Sequence, residues 1–239
     1  MLKIVIDKGN SSIKFGIFDK NTLILVNNTS HDDQGILFET IKKYRPEAAI
    51  ISSVIKNDDF SEIKKRVKKT ILLNNNTVLP FNNLYKTPDT LGRDRVAAVA
   101  GGQTLYPESS LLIIDAGTAI TYELIIDGKN YLGGNIAPGL EMRLKSLNTF
   151  TSKLPLISKT ENFNLIGQST NEAIASGVIN GMVFEMEGYR TICKQKWGLE
   201  KTIITGGDAD FFARKLKKPI FANQNLVILG LNRILEYNV

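Results

Sequence analysis

The sequence predicts an α/β chain built as two copies of one plan, and three observations carry that prediction. An apolar strand followed by Asp-x-Gly-polar occurs twice, as Ile4-Val5-Ile6-Asp7-Lys8-Gly9-Asn10 and as Leu112-Ile113-Ile114-Asp115-Ala116-Gly117-Thr118. Each copy leads into further short strands before the apolar spacing turns helical. The chain has 239 residues, enough for two domains of about 100 to 130 residues each.

In the first half, Leu2 to Asp7, Ser11 to Phe18 and Thr22 to Asn27 read as strands joined by turns rich in Gly, Asn and Asp. A helical pattern follows from Asp33 to Lys43, then an apolar run from Ala48 to Val54, a second helical pattern from Asp58 to Lys69 and a short strand from Thr70 to Leu73. The second half repeats the order. Its strands are Leu111 to Ala116, Thr121 to Ile126 and Tyr131 to Ile136, the last two joined by a hairpin turn at Asp127-Gly128. Helical spacing covers Leu140 to Leu147, Asn171 to Lys196, Ala209 to Lys215 and Leu226 to Tyr237, with a buried-looking strand at Lys201 to Thr205. Tyr106-Pro107-Glu108-Ser109-Ser110 breaks the helix that precedes it, so the domains are expected at 1–108 and 109–239.

Composition narrows the class. One cysteine, Cys193, excludes an internal disulfide and a cysteine metal cluster, which suits a reducing cytoplasm. The apolar run at the N-terminus stops at Asp7, too short for a signal peptide or membrane span, so no membrane partner is expected. Thirty Lys and Arg against twenty-four Asp and Glu leave a net charge of +6, compatible with an anionic small molecule or with nucleic acid. No aromatic platform or nucleic-acid motif accompanies the basic clusters at 64–69 and 214–218. They read as solvated helix faces, and nucleic acid is not an expected partner. His31, the only histidine, sits in a polar stretch that reads as a helix cap at the surface.

The chemistry-bearing segments are short. In Asp7-Lys8-Gly9-Asn10-Ser11-Ser12 the glycine permits a tight turn whose backbone N–H groups and polar side chains converge on phosphate oxygens, with Asp7 facing the metal that accompanies a nucleotide. A single turn of this kind is an ordinary hairpin as readily as a phosphate site. The second copy, Asp115 to Thr121, strengthens the phosphate reading, and Thr205-Gly206-Gly207 offers a strand end with no side chain in the way of an adenosine. Between the halves, Leu91-Gly92-Arg93-Asp94-Arg95 places an acid and two bases at the start of a helix running to about Leu105. Asp94 there is either a helix cap or a catalytic carboxylate.

This set resembles the phosphate-one, phosphate-two and adenosine motifs of the acetate-kinase, sugar-kinase, Hsp70 and actin superfamily. The resemblance implies two duplicated actin-like (ribonuclease H-like) domains with ATP in an interdomain cleft. More narrowly, Asp7 to Lys14, Leu91 to Arg95, Asp115 to Thr121, Gly133 to Leu140, Gly167 to Thr170 and Thr205 to Gly207 resemble, in order and spacing, the type III pantothenate kinases. Carried over residue by residue, that resemblance makes Asp94 the general base. Tyr85, Gly92, Arg93, Asp94 and Arg95 become contacts to pantothenate, and Thr170 a contact reaching in from the partner of a homodimer. Asp7, Lys8, Gly9, Asn10, Ser11, Ser12, Ile13, Lys14 and Thr118 would hold ATP with its Mg2+. Asp115 would bind a monovalent cation, K+ or NH4+. The implied reaction phosphorylates the primary hydroxyl of pantothenate, opening coenzyme A synthesis. A transcription-accessory protein of the same family, or another small-molecule kinase of the superfamily, are the alternatives. Lys8, Ser11 and Ala116 depart from the family's usual wording, and Lys8 is expected to point away from the turn by strand alternation.

Overall fold

A computed structural model describes residues 1–10, 12–55 and 59–239 as a mixed α/β chain with two sheets. Ser11 and the first residue of the expected 58–69 helix, Asp58, lie outside the described residues. Contacts divide the chain into two compact units. The first comprises 1–108, 127–132 and 225–239, and the second 109–126 and 133–224. These differ from the contiguous ranges expected from the sequence, because the last helix and the hairpin tip pack with the first unit.

In the first unit, strands β1 (Leu2–Lys8), β2 (Ile13–Asp19) and β3 (Thr22–Thr29) form an antiparallel meander. Helix α1 (Gly35–Tyr44), strand β4 (Ala48–Ser53), helix α2 (Ser61–Arg66) and strand β5 (Lys69–Leu72) extend it to the order β3-β2-β1-β4-β5, with β4 and β5 parallel to β1. Helix α2 is much shorter than the expected pattern. Val67 already has extended backbone and Lys69 starts β5, so the lysines that suggested a long helix face lie partly on a strand. A two-residue strand β6 (Asn82–Asn83) and a 3-10 turn (Pro88–Thr90) lead into helix α3 (Arg93–Leu105).

Alternation along β1 decides what each residue meets. Ile4 and Ile6 join Phe15, Leu37, Ile41 and Ile63 in a core under α1 and α2. Lys3, Val5 and Asp7 face the other side, where Lys3 Nζ, fully buried, is paired with Glu236. Glu236 belongs to the last helix, which packs on α3 through glycines. A side chain at Gly230 would sit 1.7 Å from the Ala97 carbonyl, and one at Gly101 2.2 Å from the Leu226 carbonyl. Glycine is therefore the residue that lets these two helices approach closely.

In the second unit, strands β7 (Leu111–Ala116), β8 (Ala119–Ile126) and β9 (Asn130–Pro138) are followed by helices α4 (Leu140–Thr149) and α5 (Thr170–Trp197). Strand β10 (Lys201–Thr205), helix α6 (Ala209–Ala213) and strand β11 (Phe221–Ala222) complete it, and helix α7 (Leu226–Asn238) returns to the first unit. The sheet order is β11-β10-β7-β8-β9-β6, with β10 parallel to β7, β8 antiparallel to it and the short β6 pairing parallel to the start of β9. Apart from β6, this repeats the strand order of the first sheet. Asp127 and Gly128 both take positive φ, as a tight hairpin turn with a right-handed twist requires. The core joins Leu112, Ile114, Tyr122 and Ile204 from the sheet to Ile179, Met182, Met186 and Phe212 from the helices. Among the described residues, no helix is long and apolar enough to cross a membrane.

Candidate active site

The first Asp-x-Gly turn caps the β1–β2 hairpin. Lys8 pairs with Ile13, and the Gly9 N–H donates to the Ser12 carbonyl at 3.0 Å. Asp7 stands in register with Ser52 of β4. Its Oδ1 is buried with no hydrogen-bond partner among the described residues. Burial raises its pKa to about 6, the nearby charge of Asp94 adds to the rise, and Ser52 and Lys14 oppose it. The Ser52 hydroxyl helps without completing a hydrogen bond. An acidic oxygen held in this state, an acceptor with no donor, fits a site for cationic or metal-bearing ligand groups. Lys8, one residue on, faces the opposite side of the sheet and lies over the Phe60 ring at 5.3 Å. His31 is not the helix cap its neighbours suggested. Gln34 occupies that position in α1, and His31 Nε2 lies 3.0 Å from the Gly9 carbonyl, tying the meander's exit to the glycine turn.

The second acid of this unit lies in the first turn of α3. Gly92 is the N-cap residue, and Asp94 Oδ1 accepts from the Arg95 N–H at 2.9 Å. Asp94 thus satisfies one helix-end donor while leaving its other oxygen for chemistry. A side chain at Gly92 would lie 2.5 Å from Asp94 Oδ1, so the glycine clears the carboxylate. Arg95 is buried, with its guanidinium 5.4 Å from the Tyr85 ring and Nη2 3.4 Å from the Tyr131 hydroxyl. The Tyr85 and Tyr131 rings stack 6.4 Å apart at 9°. Arg93 Nη1 donates to the Leu91 carbonyl, and burial lowers its pKa against the opposing pull of Asp89.

In the second unit, Asp115, the penultimate residue of β7, lies opposite Thr205 of β10 and Thr121 of β8. The Gly117 N–H donates to the Ala119 carbonyl, closing the turn that exposes Thr118. Two glycines press against this turn. Gly206, at φ +93°, would place a side chain 2.4 Å from Asp115 Oδ1, and Gly139 would place one 2.1 Å from the Gly117 carbonyl. Gly139 N–H also donates to the Thr118 carbonyl at 3.1 Å. Arg143 of α4 fixes this loop. Its Nε donates to the Pro138 carbonyl at 2.7 Å and its Nη2 to Glu185 at 2.8 Å, while the Tyr122 hydroxyl donates to the other Glu185 oxygen at 2.6 Å. Burial, then the Glu185 contact, pushes the Tyr122 pKa up, so that hydroxyl remains a donor. Thr170 is exposed at the start of α5, where Ser169 caps the helix by accepting from the Glu172 N–H.

The expected site residues therefore fall into two groups. Asp7 to Lys14, Tyr85 and Gly92 to Arg95 lie in the first unit, and Asp115, Thr118 and Thr170 in the second. Sequence reasoning missed His31, Ser52, Tyr131, Arg143 and Glu185. A lone histidine carried a faint signal, but the others lie far along the chain from the motif they support. Among the described residues there is no cluster of three or more His, Cys, Asp or Glu able to hold a metal ion.

Two sheets of one strand order, each with a glycine turn after an acidic strand end, define the class. The fold matches that of a glucokinase from an Antarctic psychrotroph over 99% of both chains, with 13% identity and a TM-score of 0.57. It matches a Campylobacter jejuni member of the Baf family of transcriptional activators over 98% of both chains, with 23% identity and a TM-score of 0.65. The chain thus has neighbours in the actin-like ATPase fold. A family model for type III pantothenate kinase matches residues 3–191. The type III pantothenate kinase of Phocaeicola vulgatus is 44% identical over 239 residues, covering 99% of each chain. The chain belongs to the type III pantothenate kinase family.

Proposed function

We propose that this protein transfers the γ-phosphoryl group of ATP to the primary hydroxyl of pantothenate, giving 4′-phosphopantothenate and ADP in the first step of coenzyme A biosynthesis. The observation that carries the reading is full-length family membership in a chain that keeps Asp94 in the first turn of α3, electrostatically coupled to Asp7. The finer architecture, duplicated actin-like domains with nucleotide in the cleft, is supported by the repeated strand order and the paired Asp-x-Gly turns. The glucokinase and Baf-family likenesses bear on the fold alone.

The roles follow from the chemistry of each group. Backbone donors of the Gly9 turn, with Asn10, Ser11, Ser12 and Lys14, hold ATP phosphates, and Thr118 approaches them from the second turn. Asp7 faces the Mg2+ that neutralises phosphate charge, a role its partnerless buried oxygen suits. Arg95, braced by Tyr85 and Tyr131, and Arg93 meet the carboxylate of pantothenate. Asp94 orients the hydroxyl and accepts its proton as the oxygen attacks phosphorus and ADP leaves. The demand is mainly positioning, since a loose transition state does not need a preformed alkoxide. Asp115 would hold K+ or NH4+, and Thr170 would complete the neighbour's site in a homodimer. The deciding experiment is coupled ADP release from ATP, Mg2+ and pantothenate. Turnover with sugars but not pantothenate, or salt-sensitive DNA binding without turnover, overturns the reading.

A further inference from the structure

We propose that His31, the only histidine in the chain, is a positioning residue for the phosphates of ATP. It locks the Gly9–Asn10 peptide so that its N–H, not its carbonyl, is offered to the ligand. The inference rests on the nucleotide role given above to the Gly9 turn.

The first two peptides of that turn are held in different ways. Backbone fixes the Lys8–Gly9 peptide at both ends: the Lys8 carbonyl accepts from the Val54 N–H at 3.1 Å, and the Gly9 N–H donates to the Ser12 carbonyl at 3.0 Å. The Gly9–Asn10 peptide has no such backbone bond among the described residues. Its carbonyl is met instead by the His31 ring, with Nε2 3.0 Å away. A carbonyl only accepts, so Nε2 carries the proton and donates. The peptide is trans, which sets the Asn10 N–H opposite the Gly9 carbonyl. That N–H therefore points away from His31, on a residue exposed to solvent.

Glycine is what makes a lock necessary. Gly9 does not take positive φ, and a side chain there would meet only the Ser12 carbonyl, at an ordinary 3.5 Å. Neither strain nor crowding calls for glycine here. What the missing side chain leaves is freedom to rotate the peptide that follows. Rotated by half a turn, that peptide would present a carbonyl oxygen to phosphate oxygens in place of a donor. The bond from His31 sets a cost on the rotation.

The ring is itself held in place. Strand β3 ends at Thr29, opposite Ile13, and Ile13 pairs with Lys8 across the hairpin, so the chain leaves the sheet beside the Gly9 turn. The Thr29 hydroxyl donates to the Asp33 carbonyl, the Asp33 N–H to Ser30 Oγ at 3.1 Å, and Gln34 Nε2 to the His31 carbonyl at 3.2 Å. These bonds brace the loop before α1 and present the imidazole as a preorganised donor.

The test compares the parent with His31→Ala and with His31→Gln, whose amide carries an N–H near the place of Nε2. Loss of one neutral hydrogen bond predicts a rise of about 3- to 10-fold in the calorimetric Kd for MgATP without pantothenate, and in KM for ATP. The kcat and the KM for pantothenate should stay within about 2-fold. His31→Gln should recover most of the affinity. A merely structural histidine would move Tm and every kinetic constant together. Since the chain has one histidine, NMR of the isotope-labelled imidazole reads it without assignment. At about pH 8, above its titration, the Nε2–H tautomer is expected, with slower proton exchange once MgATP is bound. Unchanged ATP affinity in His31→Ala, equal loss in both variants, or an Nδ1–H tautomer overturns the proposal. If the parent binds MgATP without phosphorylating pantothenate, the substrate reading fails and the Kd series still decides the role of His31. If it does not bind MgATP, both fall.

Discussion

Replacing Asp7 with Asn removes a charge that the folded protein holds at a cost. The Asp7 pKa stands at about 6 against an ordinary value of 3.8, so between those values the folded state binds a proton that the unfolded chain has released. The sign follows. The native state has its full relative stability from this group below pH 3.8 and loses it as pH rises through about 6. At about 1.4 kcal/mol per pH unit, the gap amounts to roughly 3 kcal/mol at neutral pH. Asn is nearly isosteric with the protonated acid and carries no charge, so Asp7→Asn should recover most of it. For a chain of this length that is a rise of about 5 to 10 °C in Tm. Thermal unfolding of both proteins at pH 7.5 and pH 4 is the assay. The variant should be the more stable at pH 7.5 and level with the parent at pH 4. If Asp7 serves the nucleotide complex as proposed, ATP with Mg2+ should raise the parent's Tm more than the variant's. A stability gain that grows on acidification, or no gain at either pH, refutes the reasoning.

Asp94→Asn keeps an oxygen for the Arg95 N–H and should fold normally, yet kcat should fall by about 10² to 10⁴ in the ADP-release assay, and near-normal turnover would make Asp94 structural only. Arg143→Met cuts the link from Glu185 to the Pro138 carbonyl, so KM for ATP should rise roughly 10-fold with a smaller change in kcat; an unchanged KM would show that the loop does not set the Thr118 turn. Turnover should need K+ or NH4+ and lose that dependence with Asp115→Ala, whereas equal parent rates in K+ and tetramethylammonium would remove the cation role. Mixing inactive Asp94→Asn and Thr170→Ala chains should restore part of the activity if sites are shared across a homodimer, and no recovery in a verified mixed dimer counts against sharing.

What was legible in the sequence is what local chemistry dictates. Both Asp-x-Gly turns, the tight turn at Asp127-Gly128 and the helix from Arg93 to Leu105 each announce themselves through period, glycine or charge within a few residues. The length of α2 was not legible, because Lys64 to Lys69 suits a solvated helix and an edge strand alike, and pairing of Lys69 with Ala48 decides between them. The supports of the site were hidden for a different reason. Arg143 and Glu185 stand forty-two residues apart, and Tyr131 meets Arg95 across thirty-six; no periodicity links such pairs. His31 looked like a cap because its neighbours are cap formers, and only the fold brings its ring to the Gly9 carbonyl. Likewise α7 follows the second half in sequence but packs on the first unit, an arrangement signalled only by glycines at Gly101 and Gly230 whose meaning depends on each other.

Strand β1 shows how one alternating face serves two ends. Lys3 and Asp7 project to the same side, toward α7 and α3, and both bring an ionisable group into a largely apolar layer. Lys3 is answered within the fold by Glu236. Asp7 is answered only in part: after burial the largest influence on it is another acid, Asp94, which makes its ionisation harder, and Ser52 and Lys14 offset this incompletely. Were Asp7 only structural, replacing one of these two acids by a neutral or basic residue would relieve the repulsion at no loss, since buried charge without a partner is destabilising. The fold tolerates an incompletely answered carboxyl at the strand end where the glycine turn opens, and a satisfied ammonium at the other. That asymmetry is what the proposed function would lead one to expect: a cationic group arriving with the nucleotide would supply the countercharge at Asp7 and lower its pKa again, and a proton taken up by Asp94 would remove the second negative charge.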